Sequence, residues 1–123
     1  MWIRCLREIR KYSKMINKNA LINDFNQLMV EHYSTRLSKI ILYGSYARGD
    51  FHEESDIDFL VLLNDENVSV TKEIGETNNQ LFDLSLKHNF IPISSYVISE
   101  NNFQTSNKAL FRFIKKEGIT IYE

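Results

Sequence analysis

ILYGSYARGDFHEESDIDFLVLL, residues 41–63, contains two apolar runs separated by a polar insert, and two aspartates introduce the second run. Apolar runs bounded by glycine and polar residues are typical of buried strands, which we predict at residues 39–43 and 56–63. In a strand, residues i and i+2 project from the same face, so Asp56 and Asp58 point the same way. Two like charges on one face resist burial unless a cation neutralises them.

Taken alone, the aspartate pair has two interpretations. Mg²⁺ prefers hard oxygen ligands and is often held by one or two carboxylates together with substrate phosphates. Alternatively, Asp56 caps the turn at Ser55 while Asp58 accepts a hydrogen bond from a loop. A lone Asp-x-Asp motif favours this second, structural interpretation.

Gly44-Ser45 is similarly ambiguous when it is considered by itself. Glycine after a strand permits a positive φ and a close ligand approach, and N–H groups at a following helix start favour an anion such as phosphate. A plain turn explains the same two residues. Because the turn and the aspartate pair lie at adjoining strand ends, their combination favours a phosphate-binding turn that faces a divalent-metal site.

Composition and charge exclude several classes of protein. The 123 residues correspond to one domain, 43% of them hydrophobic and 25% charged, with 15 Lys plus Arg against 16 Asp plus Glu. This balance argues against a strongly basic nucleic-acid binder, and direct nucleic-acid binding is not expected. Cys5 is the only cysteine, which excludes an intramolecular disulfide, and no apolar run approaches a membrane span. We therefore expect a cytoplasmic protein without a membrane partner.

The remaining elements follow from periodicity. Helices are predicted at residues 19–33, 70–87 and 109–117, the last closed by Gly118 at the C′ position. Further strands are predicted at residues 90–98 and 119–122. Residues 1–16 form an N-terminal extension or a short amphipathic helix, and residues 17–123 form the domain. The predicted fold class is α/β (α+β), with a small mixed β-sheet and helices packed on one face.

The spacing Gly44-Ser45-x10-Asp56-x-Asp58, with Ala47-Arg48-Gly49 inside it, resembles the signature of MNT-type minimal nucleotidyltransferases in the DNA polymerase beta superfamily. The resemblance is specific over residues 42–61. The predicted order of elements extends it more loosely over about residues 19–122. It implies a nucleotidyltransferase fold and a Mg²⁺-dependent transferase.

The resemblance also implies a role for each residue of the motif. Gly44 and Ser45 would bind the β- and γ-phosphates of a nucleoside triphosphate. Arg48 would add positive charge there, although a salt-bridged surface arginine is an equally good interpretation. Asp56 and Asp58 would be the catalytic residues and would bind two Mg²⁺ ions. One ion would activate the attacking hydroxyl, and the other would stabilise the departing pyrophosphate.

One feature departs from the superfamily pattern. A third carboxylate usually lies on the next core strand, where it completes the metal site and serves as general base. The predicted strand 90–98 contains no Asp or Glu, and Ser94 or Ser95 stands at that position. Asp83 and Glu100 would replace the acid only by an unusual path. Base-assisted activation of the acceptor, typically worth ~10²–10⁴-fold, is therefore in doubt.

Family resemblance also implies a partner. Minimal nucleotidyltransferases of this kind are antitoxins that neutralise HEPN-domain toxins by attaching AMP, from ATP, to a tyrosine hydroxyl. The length of the chain leaves no room for a separate acceptor domain, so we expect the acceptor to be a protein partner or a small molecule. Two alternatives remain. One is a catalytically weak nucleotide-binding antitoxin that acts by occlusion, and the other is a small-molecule nucleotidyltransferase.

A pair of phenylalanines in the last predicted helix indicates a possible interface. Phe111 and Phe113 are two residues apart and cannot both face one core. One of them is therefore a candidate for contact with a partner.

Overall fold

The computed structural model describes residues 2–52 and 54–123, with side chains described for residues 18–52 and 54–123. The elements along the chain are α1 (Trp2–Tyr33), a 3-10 turn (Ser34–Arg36), β1 (Leu37–Tyr43), α2 (Ser45–Arg48), β2 (Ile57–Leu63), α3 (Val70–Lys87), β3 (Ile93–Ser99), α4 (Glu100–Thr105), α5 (Ala109–Glu117) and β4 (Ile119–Tyr122). The bounds predicted for α3, α5 and β4 are confirmed. The short helix α4 was not predicted.

A four-stranded mixed sheet in the order β3-β2-β1-β4 forms the centre of the fold. Strand β1 pairs antiparallel with both β2 and β4, whereas β2 and β3 are parallel. Parallel neighbours need a crossover, and α3 provides it between β2 and β3. The mixed sheet with its helices confirms the predicted fold class.

The helices cover both faces of the sheet, and in this detail the prediction of helices on one face is wrong. Phe59 and Val61 pack with α1 and α3, while Leu60 and Leu62 pack with α4 and α5. The cause lies in β2, whose residues from Phe59 to Leu63 are all buried. A continuous apolar strand exposes apolar side chains on both faces, and each face needs its own cover.

Several predicted boundaries and one predicted cap differ in the structure. Helix α1 begins well before residue 19, β1 begins at Leu37, and β3 runs over Ile93–Ser99 because Asn89 and Phe90 adopt positive φ angles that no strand accommodates. Gly118 is not a left-handed cap, since its φ is −68° and its ψ is 150°. A Cβ there would lie 2.5 Å from the Ile114 carbonyl oxygen, so small size is what the position requires.

The N-terminal segment is described only in its backbone. Helix α1 is continuous across residue 17, but the side chains of residues 2–17 lie outside the described set, as does Met1. The division into residues 1–16 and a domain at 17–123, and the amphipathic character of the first segment, therefore stay predictions. Within the described residues, no helix is both long and apolar enough to cross a membrane.

Candidate active site

Gly44 forms the turn at the end of β1. Its φ of +76° is one that residues with a side chain rarely adopt. The space beside it is also occupied, because a Cβ on Gly44 would collide with the Asp58 carboxylate. The Gly44 carbonyl accepts hydrogen bonds from the N–H groups of Ala47 and Arg48, both at 3.1 Å, and so starts the single-turn helix α2. The predicted turn after the strand therefore brings the backbone directly against the aspartate motif.

The polar insert after α2 is anchored by aromatic packing and a short turn. The buried rings of Tyr46 and Phe51 stack with their centroids 4.3 Å apart. Next, the His52 N–H donates to Ser55 Oγ at 2.9 Å and the Ser55 N–H donates to the His52 carbonyl at 3.1 Å. Lys18 Nζ on α1 also donates to the Tyr46 carbonyl. These contacts hold the chain that leads into Asp56.

Asp58 lies in a row of polar side chains that crosses three strands. It pairs with Tyr43 on β1 and with Ser94 on β3. Residues directly opposite each other in neighbouring strands project from the same face, with Cβ atoms about 5 Å apart in antiparallel pairs. Tyr43, Asp58 and Ser94 therefore lie side by side on the face that α4 and α5 cover farther along the sheet. Asp56 precedes the row and is exposed.

The electrostatics of the row centre on Asp58. Partial burial raises the pKa of this carboxyl, and the nearby charge of Asp56 raises it further. The Arg48 charge and a hydrogen bond from the Ser94 side chain oppose that rise. Burial together with the Asp58 charge raises the pKa of Tyr43 to about 12, and burial and Asp56 raise that of Tyr46. The site therefore concentrates negative charge with limited compensation.

All five residues predicted for the site line one open cleft of about 520 Å³. They are Gly44, Ser45, Arg48, Asp56 and Asp58, and four further residues complete the lining, namely Asp50, His52, Glu54 and Ser55. The additional residues come from the insert between α2 and β2. The sequence shows that these four residues are polar. Polar residues are common in any turn, so their residue types did not mark them as part of the site.

Arg48 combines the two interpretations that its sequence context allows. Its Nε lies 3.1 Å from Asp50 Oδ2, and its Nη1 lies 3.8 Å from Glu117 Oε2. The guanidinium also lies over the ring of Phe113, 5.8 Å from the centroid. Arg48 is thus an ion-paired arginine at the rim of the cleft, oriented by its contacts with α5. Its positive charge also lowers the pKa of Asp58.

The donor set of the cleft fits a divalent cation. Asp56 and Asp58 offer hard carboxylate oxygens, the ligands that Mg²⁺ prefers, and their mutual repulsion is the cost that such an ion removes. The absence of a side chain at Gly44 leaves the approach to Asp58 clear. The residues present therefore suit Mg²⁺ at this position.

The third acid expected on β3 is absent, because the other carboxylates that line the cleft, Asp50 and Glu54, come from the insert between α2 and β2. Ser94 occupies the strand position beside Asp58. Asp83 lines a separate groove between α1 and α3, and Glu100 forms an ion pair of 3.3 Å with Lys39. The sequence leaves Ser94 or Ser95 at the position of the missing acid, and the structure sets Ser94 beside Asp58, where it hydrogen-bonds the carboxylate. The parallel β2-α3-β3 crossover was the signal that could have indicated this pairing.

Comparisons with known proteins agree with this geometry. The family model of the nucleotidyltransferase domain matches residues 22–118. A relative from Methanocaldococcus jannaschii, named "Putative protein adenylyltransferase", is 34% identical over 113 residues, which cover 87% of this chain and 100% of the relative.

Two solved structures share the fold. The crystal structure of a toxin-antitoxin with AMP-PNP superposes with a TM-score of 0.58 at 19% identity, covering 82% of this chain and 72% of that one. A variant of the toxin-antitoxin MntA-HpeT superposes with a TM-score of 0.54 at 17% identity, covering 81% and 71%.

Proposed function

Because this chain belongs to the nucleotidyltransferase domain family, we propose that it transfers AMP from ATP to a hydroxyl group of a partner protein. We further propose that the acceptor is a tyrosine of a HEPN-domain toxin and that the transfer neutralises the toxin. The observation that carries the proposal is the convergence of the Gly44 turn and the Asp56–Asp58 pair on one cleft. The name of the archaeal relative and the toxin-antitoxin neighbours support the acceptor class.

Each residue of the cleft has a role in this proposal. Gly44 lets phosphate oxygens approach the backbone, and the Ser45 hydroxyl donates a hydrogen bond to them. Asp56 and Asp58 would hold Mg²⁺, which would neutralise triphosphate charge and favour the deprotonated acceptor hydroxyl. Arg48, already oriented by Asp50 and Glu117, adds positive charge at the rim of the cleft.

Ser94 gives the site its particular character. It donates a hydrogen bond to Asp58 from the strand position where a basic carboxylate would otherwise accept the acceptor's proton. A serine hydroxyl cannot take that proton at neutral pH. Proton removal from the acceptor would therefore fall to a group other than the β3 residue, and we expect slow transfer.

Incorporation of AMP into a co-expressed partner protein tests the proposal. With ATP labelled at the α-phosphate, the unmodified chain should label the partner. Asp56→Asn and Asp58→Asn should each reduce labelling by at least about a hundredfold, the scale on which loss of one electrostatic stabiliser slows an enzyme. Asp83→Asn is the matched control, since Asp83 lines the other groove and should leave labelling unchanged. Labelling that survives both site variants contradicts the proposal.

The hydrogen bond from Ser94 to Asp58, in place of a third acid, favours one alternative: a nucleotide-binding antitoxin that acts by occlusion. It predicts that a chain carrying both Asp56→Asn and Asp58→Asn still neutralises the toxin in cells. A double variant that folds, binds the partner and yet fails to neutralise it rejects occlusion and leaves transfer as the mechanism.

A further inference from the structure

Three basic residues form one row along the solvent side of α5, from its N-cap to its last turn. Lys108, Arg112 and Lys116 are four residues apart, the spacing that makes side chains neighbours on a helix surface. All three are exposed, whereas Phe111 and Ile114 on the opposite side of the helix are buried in the core. This basic row therefore faces solvent along the length of α5.

The basic row differs from the other cations of the molecule in its lack of partners. Within the part of the chain whose side chains are described, no carboxylate or carbonyl oxygen pairs with the row, and Lys108 contacts only the ring of Phe111. Glu66 lines the same crevice as Lys108 but forms no ion pair with it. Every other described lysine or arginine side chain contacts a carboxylate or a carbonyl oxygen, namely Lys18, Arg36, Lys39, Arg48, Lys72, Lys87 and Lys115.

The basic row does not stabilise the helix that carries it. Like charges four residues apart repel each other on a helix surface. Lys108 is also the N-cap residue, where the positive end of the helix dipole disfavours a cation, and its side chain makes no capping hydrogen bond. Only Lys116, in the last turn, has a position that the dipole favours. A feature that opposes local stability is expected where a function requires it, so the row indicates a contact with an anionic group outside this chain.

The basic row lies next to the candidate active site. Phe113 and Glu117 belong to the neighbouring row of α5, and both contact Arg48, which lines the cleft. Glu117 is the one acid of α5, and because its carboxylate turns toward Arg48 it leaves the basic row without compensation. Phe113 is 40% exposed and presents an aromatic ring beside the row. A partner that contacts the row and this ring therefore also reaches the rim of the cleft.

We propose that the basic row of α5, together with the ring of Phe113, docks an acidic surface of the acceptor protein. This inference rests on the proposed function only in taking the acceptor as the partner. Exposed aromatic rings beside arginine are typical of protein interfaces, which favours a protein. A nucleic acid is a weaker match, because three cations are fewer than the roughly 6–10 phosphate contacts of a strongly salt-dependent binder. The net charge of −1 also gives the whole chain no general attraction for polyanions.

Association kinetics of the full chain with the purified HEPN-domain toxin test the docking surface. The buffer contains no ATP, so AMP transfer does not contribute to the signal. Arg112→Glu and Lys116→Glu should each slow association at least about tenfold at low salt and make its rate less sensitive to added salt, as expected for charges that steer binding. Lys72→Glu is the matched control, because it makes the same charge change at an exposed lysine of α3. Circular dichroism checks that each variant keeps its helix content.

The outcomes separate this proposal from the catalytic one. A toxin that binds through the basic row but receives no AMP contradicts the proposed function alone. An Arg112→Glu chain that binds and labels the toxin as the unmodified chain does overturns the docking surface alone, as does equal weakening by Lys72→Glu or an unmodified chain that does not bind the toxin. An RNA oligonucleotide is the second probe. If its binding requires Arg112 while toxin association does not, the row binds nucleic acid and the assignment to a protein is wrong.

Discussion

Opposing effects act on the ionisation of the Asp58 carboxyl, and only a bound cation or a proton removes the conflict between them. Burial and the charge of Asp56 disfavour its ionised form, whereas Arg48 and Ser94 favour it. Gly44 lies so close that no side chain could separate the backbone from this carboxylate. At the scale of single residues, the site is therefore built for ligand binding at the expense of the ligand-free protein.

We expect Asp58→Asn to stabilise the ligand-free protein. A carboxyl whose pKa is raised on folding loses its contribution to stability as the pH rises from about 4 through the raised value, so ionised Asp58 destabilises the fold at neutral pH. In buffer containing a chelator, Asp58→Asn should raise the midpoint of thermal unfolding, while Asp83→Asn should leave it nearly unchanged. A lowered midpoint for Asp58→Asn would contradict this account of the site.

Ser94→Asp should complete the acidic site. A third carboxylate beside Asp58 should destabilise the metal-free protein by added repulsion and strengthen stabilisation by Mg²⁺. Thermal unfolding with and without Mg²⁺ measures both effects, and transfer to the partner should accelerate by about tenfold or more. Ser95→Asp is the control. Ser95 pairs with the core residue Phe59 on the other face of the sheet, so its charge should destabilise the fold regardless of Mg²⁺.

Helix α5 connects the cleft to the sheet. Phe111 is 1% exposed and packs in the core, whereas Phe113 is 40% exposed and carries the Arg48 guanidinium over its ring. The prediction that these two phenylalanines face different surroundings is confirmed. The role of Phe113 in partner contact stays a prediction. Within this chain, its ring packs against the guanidinium of Arg48.

The junction of α5 and β4 should tolerate no side chain at Gly118. A Cβ there would lie 2.5 Å from the Ile114 carbonyl oxygen and 2.6 Å from Ile41 Cγ2, which are rigid parts of the helix and the sheet. Gly118→Ala should lower the free energy of unfolding by about 1–3 kcal/mol, the usual cost of overpacking. Urea unfolding measures the change, and the exposed neighbour Thr120, replaced by Ala, should change it by less than about 0.5 kcal/mol.

Across the whole molecule, ion pairs link elements that are distant in sequence. Asp24 on α1 contacts His88 at 2.7 Å and Lys87 at 3.0 Å, and Arg36 contacts Asp65 at 3.0 Å. Glu100 accepts hydrogen bonds from Ser38 and Lys39. Each of these contacts lowers the pKa of its carboxyl group. They join α1 to the end of α3, the 3-10 turn to the loop after β2, and β1 to α4.

These ion pairs predict acid sensitivity. A carboxyl whose pKa is lowered by folding stabilises the protein above its unfolded pKa of about 4, and that stability is lost as the pH falls through the lowered value. The free energy of unfolding in urea should therefore decrease as the pH falls below about 4. Asp24→Asn should make this decrease shallower, and an equally steep decrease in that variant would exclude Asp24 as a contributor. Because Asp24 is partly exposed, we expect a modest effect.

Local pattern determined a large part of this protein. The spacing of Gly44, Ser45, Asp56 and Asp58 predicted a shared site, and the structure places all four on one cleft. The periodicity of α3 and α5 predicted their bounds. The bounds of the helices follow from the helix repeat itself, whereas the shared cleft also needs the antiparallel pairing of β1 with β2, which sets Tyr43 opposite Asp58.

Tertiary structure decided what lies across the strands and on the two faces of the sheet. Ser94 donates a hydrogen bond to Asp58 only because the α3 crossover places β3 parallel to β2 in that register. Likewise, the apolar run of β2 does not indicate which helices cover each face of the sheet. In the structure, α4 and α5 pack against Leu60 and Leu62. Such pairings join residues that no local repeat relates, and their positions follow from burying one continuous core rather than from any single segment.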